Sequence, residues 1–421
     1  MKEIKPRSTI DAVVRIPGSK SLTHRAVIAA SLASGKSQIK NFLSCEDTLY
    51  TISALKELGA EISVSGEDLA ISGTGGKFPR SSDRKEIFLG NSGTSYRLLL
   101  STVALANGEF VLTGVPRMNK RPIGDLVAAL NTLGVEATCM ERDEFPPVLI
   151  KAGGIRGGRV AIGGDKSSQY VSSLLLAGPY SDKGIEIEIT GSLVSEPYVD
   201  LTLDVMEMFG IQVERKGYSY FGVPPGQGYS PRQFNVEGDA SSASYFWAAA
   251  AVTGGTTVTE NIYSQKTRQG DIRLLHILER MGCRIERKAD RVLVHGGTLS
   301  GIEADMSTMP DMVPTLAAVA LFAEGKTVIR NVPHLRHKES DRLSAVASEW
   351  NRLGGRVDEL PDGLIIHGGT PLIGTTVDPH DDHRIAMSLA VVGLRVPGIK
   401  IQNEECVEKS FTRFWRVWEK I

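Results

Sequence analysis

Residues 237–255 read EGDASSASYFWAAAAVTGG, and this stretch holds the unit from which the whole chain is built. A polar loop leads into SYFWAAAAV, a run that ends on glycine. The run is apolar nearly all round, so it predicts a helix buried inside a domain. Glycine just past a helix end takes the left-handed conformation without a Cβ clash. The same piece recurs as AVIAASLAS, LLLSTVALA, VSSLLLAGP, TLAAVALFA and IAMSLAVVGL. The closing glycines are Gly35, Gly108, Gly184, Gly255, Gly325 and Gly398, at intervals of 73, 76, 71, 70 and 73 residues.

A second helix alternates with the first. It reads ALKELG to Gly59, ALNTLG to Gly134, VMEMFG to Gly210, ILERMG to Gly282 and EWNRLG to Gly354. In its first copy Leu49, Ile52, Leu55 and Leu58 form one apolar stripe, which predicts a half-buried helix. Strands follow both helices, so the fold is α/β, and a fixed period over 421 residues gives six units. The last helix, FTRFWRVWEKI, has no strand after it, whereas the first strands, TIDAVVRIPG, have no helix before them. The N-terminal strand is therefore expected to close the final repeat. Three repeats per domain place one domain at residues 19–237 and a discontinuous one at 238–421 with 1–18. Chain crossings at Gly18 and Gly238 would make a double hinge with a cleft between the domains.

Composition narrows the function. Hydrophobic residues are 41%, charged residues 23% and the formal net charge −1. That describes a soluble globular protein with no global field for nucleic acid or an acidic membrane. No apolar leader and no run of about 18 apolar residues occurs, so neither secretion nor a membrane span is expected. Cys45, Cys139, Cys283 and Cys406 lie far apart without CxxC spacing, which fits a reducing cytoplasm and no zinc site.

The unusual polar residues gather in the loops before the six buried helices: PGSKSLTHR, GNSGTSYR, GDKSSQY, GDASSASY, STMPDMVP and DPHDDHR. Helix N-termini favour anions. Taken singly, Asn91, Ser167 and Asp239 read as helix caps. Capping needs no cation, yet Lys20, Arg25, Arg97 and Arg384 sit on the same loops and first turns, where they oppose the helix dipole. A bound anion would compensate them.

Other motifs fall away. SGKS at 34–37 lacks the first P-loop glycine, whose place is taken by Ala30, and no GxGxxG opens a βαβ unit. HDDH at 380–383 offers metal-type ligands, but adjacent residues on a helical turn point apart; Asp381 or Asp382 reads as a cap instead. In HLRHKESDRLSAVASEW, Lys338 and Arg342 are four apart on one helical face with Glu339 between them, leaving acid or base work open to that carboxylate.

PGSKSLTHR, LGNSGTSYR, KRPIGDL, GDKSSQYVSSLLLAGP, SEPYVDLTLDVM, EGDASSASYFWAAAA, DMVPTLA, KESDRL and DDHRIAMSLAV, in this order, resemble the signature segments of the 5-enolpyruvylshikimate-3-phosphate synthase family along the whole chain. The resemblance implies an enolpyruvyl-transferase fold: two domains of three βαβαββ units each, with the substrates in the cleft. It also implies transfer of the enolpyruvyl group of phosphoenolpyruvate to shikimate 3-phosphate by addition and elimination, without metal or organic cofactor. By motif, Lys20, Ser21, Arg25, Ser167, Ser168, Gln169, Ser195, Tyr198, Asp311 and Lys338 would hold shikimate 3-phosphate. Lys20, Asn91, Gly93, Arg121, Gln169, Arg342, His383, Arg384 and Lys409 would surround phosphoenolpyruvate. Asp311, Glu339 and Lys20 are the expected catalytic groups. Both substrates carry a phosphate and a carboxylate, which guanidinium forks match bidentately. The protein is expected to be a cytoplasmic monomer and, like its family, a target of glyphosate competing with phosphoenolpyruvate.

Two positions depart from the family. His334 stands where asparagine is usual, and Leu98 follows the arginine of NSGTSYR where proline is common. Two other readings make different demands on the sequence. Enolpyruvyl transfer to a UDP-sugar would place a cysteine in the stretch VPRMNKRPIGDL, which has none. A non-catalytic scaffold for phosphorylated ligands would not require Asp311 and Glu339 beside the cations.

Overall fold

The computed structural model describes residues 1–421. They form two compact units, one of residues 18–236 and one of residues 1–17 with 237–421. Each unit holds three repeats.

Six helices are buried on almost every side: α1 (Lys20–Leu32), α3 (Gly93–Ala104), α5 (Ser168–Ala177), α7 (Ala240–Thr253), α9 (Val313–Ala320) and α11 (His383–Gly393). In the 18–236 unit α1, α3 and α5 pack on one another, and in the other unit α7, α9 and α11 do the same. Their all-round apolar sequences permit this, because such a helix has no face that prefers water. The alternating set is α2 (Glu46–Glu57), α4 (Gly124–Thr132), α6 (Pro197–Met208), α8 (Leu274–Met281), α10 (Arg342–Arg352) and α12 (Phe414–Trp418). No helix is long and apolar enough to cross a membrane.

The buried stripe of α2 differs from the leucine spacing. Leu49 is 46% exposed, and the covered face runs through Thr48, Thr51, Ile52 and Leu55 to Leu58. Threonines occupy it because their hydroxyls are used: Thr48 bonds the Leu43 carbonyl at 2.6 Å and Thr51 donates to Ser95 at 2.9 Å.

Each repeat has its own small sheet. In the second, Lys85–Phe88 pairs parallel with Asn107–Thr113 across α3, and that strand pairs antiparallel with Val148–Gly153, which pairs with Glu136–Cys139. Five sheets have four strands in this pattern, and the sixth has three. The N-terminal segment serves two repeats rather than one. Lys2–Glu3 pairs with Lys400–Ile401 and closes the sixth sheet, while Asp11–Arg15 pairs parallel with Thr256–Glu260 and belongs to the fourth. Likewise Gln233–Asn235 returns to pair with Lys36–Lys40 of the first repeat. Each unit is thus sewn shut by a strand from the far end of its own chain segment. After α7 the left-handed residue is Gly254 (φ 70°), one place before the glycine of the sequence period. Gly255 is needed for another reason: a Cβ there would lie 2.0 Å from the Ile10 carbonyl oxygen.

Candidate active site

In the 18–236 unit the starts of α1, α3 and α5 carry the polar groups. The Lys20 ammonium lies 2.9 Å from the Asp47 carboxylate of α2, and both are buried. A hydroxyl chain backs this pair: His24 Nδ1 meets Thr51 Oγ1 at 2.8 Å, Thr51 donates to Ser95 Oγ, and Ser95 donates to the Asp47 carbonyl at 2.8 Å. Arg25 is fully buried and ties α1 to α6. Its guanidinium donates to Thr202 Oγ1 at 2.8 Å, to the Ser21 carbonyl at 2.8 Å and to the Tyr198 carbonyl at 3.0 Å. Burial pushes its pKa down to about 10, which leaves it charged at neutral pH.

Asn91, Gly93 and Arg121 come together. Arg121, buried, donates through Nη1 to the Asn91 carbonyl at 3.0 Å. The cap of α3 is Ser92, which accepts from the Ser95 amide, so Asn91 precedes the cap rather than forming it. Ser167 does cap α5. Gln169 holds two neighbours: Oε1 accepts from Arg97 at 2.9 Å and Nε2 donates to Thr94 at 3.0 Å. Ser168 is the first residue of α5. Ser195 sits just before α6 with φ at 55°, and its carbonyl accepts the Tyr198 amide at 3.0 Å. Leu98 is fully buried inside α3, where its carbonyl accepts from Ser173 at 3.3 Å.

In the other unit Arg342 is the hub. Its Nε lies 2.7 Å from Asp382 Oδ2, Nη1 2.8 Å from Asp311 Oδ1 and Nη2 2.8 Å from Glu339 Oε2. Arg384 reaches the second oxygen of Asp311 at 2.7 Å. Burial opposes the charge on Arg342, but Asp382, Glu339 and Asp311 outweigh it and raise the guanidinium's pKa above its ordinary value. Burial would also raise the Asp311 carboxyl; Arg384, Arg342 and Lys338 prevail and hold it well below the carboxylate range. Asp382 is the residue that caps α11, accepting from the Arg384 amide at 3.0 Å, and His383 is the first residue of that helix. Lys409, also buried, ends a 3-10 turn (Glu404–Lys409) packed on α11.

The segment before α10 differs from the helical reading. The helix starts only at Arg342, with Asp341 as its cap, and Lys338 is extended after a 3-10 turn, Pro333–His337. Lys338 and Arg342 therefore do not share a helical face. The reason is the proline at 333 together with the capping demand of Asp341, which ends one turn before the next begins.

Asp47, Asp271 and Glu349 are not singled out by the sequence motifs, and Asp382 reads there only as a cap. Asp47 pairs with Lys20, and Asp382 holds Arg342 besides capping α11. Asp271 is buried and accepts from the Ser241 hydroxyl; its burial and the charge of Asp311 push its carboxyl up to about 7, against Arg384 and Ser241. Glu349 lies buried seven residues beyond Arg342 on α10. The GD of QGDIR, which repeats the GD of GDKSS and GDASS, was the one visible hint of Asp271. No three His, Cys, Asp or Glu side chains are disposed to hold a metal ion.

Two buried trios of helices whose polar starts carry caged arginines and lysines define an enolpyruvyl-transferase class of fold. Solved structures agree. An EPSP synthase from Acinetobacter baumannii superposes with a TM-score of 0.82 at 29% identity, covering 99% of this chain and 97% of that one. The enolpyruvyl transferase NikO from Streptomyces tendae shares the fold with a TM-score of 0.80 at 20% identity, over 99% and 96% of the two chains. Sequence is more specific. The EPSP synthase (3-phosphoshikimate 1-carboxyvinyltransferase) family model matches residues 4–418. Among curated proteins, the 3-phosphoshikimate 1-carboxyvinyltransferase of Syntrophobacter fumaroxidans is 45% identical over 100% of this chain and 99% of its own. That of Methanoculleus marisnigri is 45% identical over 96% of each. The chain belongs to the EPSP synthase family.

Proposed function

We propose a division of labour for the reaction of this family, transfer of the enolpyruvyl group of phosphoenolpyruvate to the 5-hydroxyl of shikimate 3-phosphate with release of phosphate. Lys20, Ser21, Arg25, Ser167, Ser168, Gln169, Ser195, Tyr198, Asp311 and Lys338 hold shikimate 3-phosphate. Lys20, Asn91, Gly93, Arg121, Gln169, Arg342, His383, Arg384 and Lys409 serve phosphoenolpyruvate.

The observation that carries this reading is Asp311, an ionised carboxylate whose two oxygens are engaged by two different arginines. While so held it is a weak base. The carboxylate and phosphate of phosphoenolpyruvate compete for Arg342 and Arg384, and each guanidinium they take returns basicity to Asp311. Binding of the donor thus arms the base. Asp311 accepts the proton of the 5-hydroxyl as its oxygen bonds C2 of phosphoenolpyruvate, and the Lys20 ammonium steadies the negative charge that develops on that oxygen. The π electrons take a proton at C3 from Glu339 in its carboxylic-acid form, reached once the donor's anionic groups draw Arg342 away from it, to give a tetrahedral intermediate. Glu339, left as the carboxylate, takes a proton back from C3, which re-forms the double bond and breaks the C2–O bond to release inorganic phosphate. The arginines stabilise the anionic charge throughout.

The enzyme works as a monomer in a reducing cytoplasm, where its four free cysteines stay reduced. Inorganic phosphate release tests the activity: it should require both substrates together, and its absence at saturation would refute the assignment. Sedimentation at a mass other than that of one 45.5 kDa chain would refute the monomer.

A further inference from the structure

The loop 378–382 carries Asp382 and leads into His383 and Arg384, and its backbone is strained. His380 and Asp381 take φ of 54° and 55° in succession. A side chain in that region is strained, so two together persist only where the surroundings hold them. The holding groups lie on one helix. Arg342, at the start of α10, grips the loop's end through Asp382 Oδ2 at 2.7 Å. Glu349 stands two turns further along the same face, seven residues on. It grips the loop's beginning: Oε2 accepts the Asp378 amide at 3.0 Å and Oε1 meets His380 Nε2 at 3.2 Å. Within the loop, Asp378 Oδ1 accepts the His380 amide at 2.7 Å and the Asp382 amide returns to the Pro379 carbonyl at 3.0 Å.

The Glu349 carboxylate is 1% exposed, and the Arg352 guanidinium lies 3.2 Å from it. A buried carboxylate is expensive unless it is put to use. Here its use is to fix the first residue of a strained loop whose last residue sets the direction of two arginines. We infer that Glu349 is a positioning residue for phosphoenolpyruvate: it clamps Asp378 and His380 to α10, and so holds Asp382, Arg342 and Arg384 in register. The inference rests on the assignment of Arg342 and Arg384 to that substrate. Without the clamp the left-handed pair relaxes, Asp382 shifts, and the guanidiniums lose their aim, while the groups proposed for shikimate 3-phosphate in the 18–236 unit stay in place.

Steady-state kinetics of purified variants, with thermal unfolding beside them, tests this. Glu349→Ala should raise KM for phosphoenolpyruvate about tenfold and lower kcat less, with KM for shikimate 3-phosphate within about twofold. Glu349→Gln still accepts the Asp378 amide and should return the donor KM to within about threefold of wild type. A role in folding alone would lower Tm and the active fraction and leave both KM values unmoved. Arg384→Ala is the reference. If it leaves the donor KM unchanged, the site assignment fails. If it raises that KM while Glu349→Ala does not, the clamp alone is refuted, as it is if glutamine restores nothing. Should Glu349→Ala not fold, Glu349→Asp decides, because its shorter side chain cannot reach Asp378 and His380 at once; an unchanged donor KM there overturns the proposal.

Discussion

A methyl group on Gly93 would lie 2.4 Å from Nη2 of Arg121 and 2.5 Å from Cζ, so the glycine is what lets the guanidinium rest against the start of α3. The end of a flexible side chain can yield, but yielding moves Arg121 away from the Asn91 carbonyl it now holds. Gly93→Ala should therefore act through Arg121 rather than only by filling space. We expect KM for phosphoenolpyruvate to rise about tenfold, as for loss of a charge-assisted contact, with KM for shikimate 3-phosphate little changed. Glyphosate, where it competes for the same place, should weaken in parallel. An unchanged donor KM would show that Arg121 tolerates its displacement and makes no contact that matters.

Asp311 links Arg342 and Arg384, one to each oxygen. Asp311→Asn keeps the shape and a hydrogen-bond acceptor but removes the proton acceptor. Loss of a general base typically costs about 10²- to 10⁴-fold in rate. We expect kcat to fall by at least the lower figure, while phosphoenolpyruvate binds as tightly or more tightly, because the arginines have lost a competing carboxylate. Weakened donor binding by calorimetry with kcat near wild type would reverse the roles given to Asp311 and its arginines.

His334 is buried, and neither ring nitrogen has a hydrogen-bond partner in the protein. Burial lowers its pKa to about 3, helped by Lys338, Arg342 and His337 against Asp311, so the ring is neutral. A neutral imidazole offers one donor and one acceptor, and leaving such groups unmet costs about 1–3 kcal/mol. A substrate hydroxyl would meet them. His334→Asn keeps both functions and should leave KM for shikimate 3-phosphate within about threefold, whereas His334→Leu should raise it about tenfold and raise Tm as well. If leucine stabilises the protein without touching that KM, the ring contacts no substrate.

The architecture was legible because it is repetitive. Residues such as Gly59 and Gly282 mark helix ends through a conformation that glycine reaches cheaply, and all-round apolar runs can only be buried. What escaped were the partners. Asp47, Asp271 and Glu349 are ordinary acids in ordinary helical or turn sequence, and only tertiary packing brings them against Lys20, Ser241 and the 378–382 loop. Periodicity also misplaced Leu49, because a spacing of three residues drifts round a helix whose covered face follows three and four alternately. The split of the N-terminal segment between the fourth and sixth sheets was equally hidden, since strand pairing over hundreds of residues leaves no local trace.

Asp271 makes stability depend on pH in a direction opposite to most carboxylates. Its carboxyl is raised to about 7 in the folded protein, first by burial and then by Asp311. In the unfolded chain it titrates near its ordinary value of about 4. Below that value both states carry the proton and folding pays no penalty. As pH rises from about 4 to about 7 the unfolded chain releases the proton and the folded one keeps it, so stability falls; above about 7 the loss is complete and constant. Asp311, whose pKa is depressed, works the other way and costs stability only as the solution becomes more acid than about pH 4. Asp271→Asn mimics the protonated form at every pH. Its Tm should exceed that of the wild type by about 2–6 °C at pH 8, and the difference should shrink towards zero near pH 4.5. A difference that stays the same from pH 4.5 to pH 8 would mean that Asp271 does not titrate between folded and unfolded states, and that its surroundings are more hospitable to charge than its burial implies.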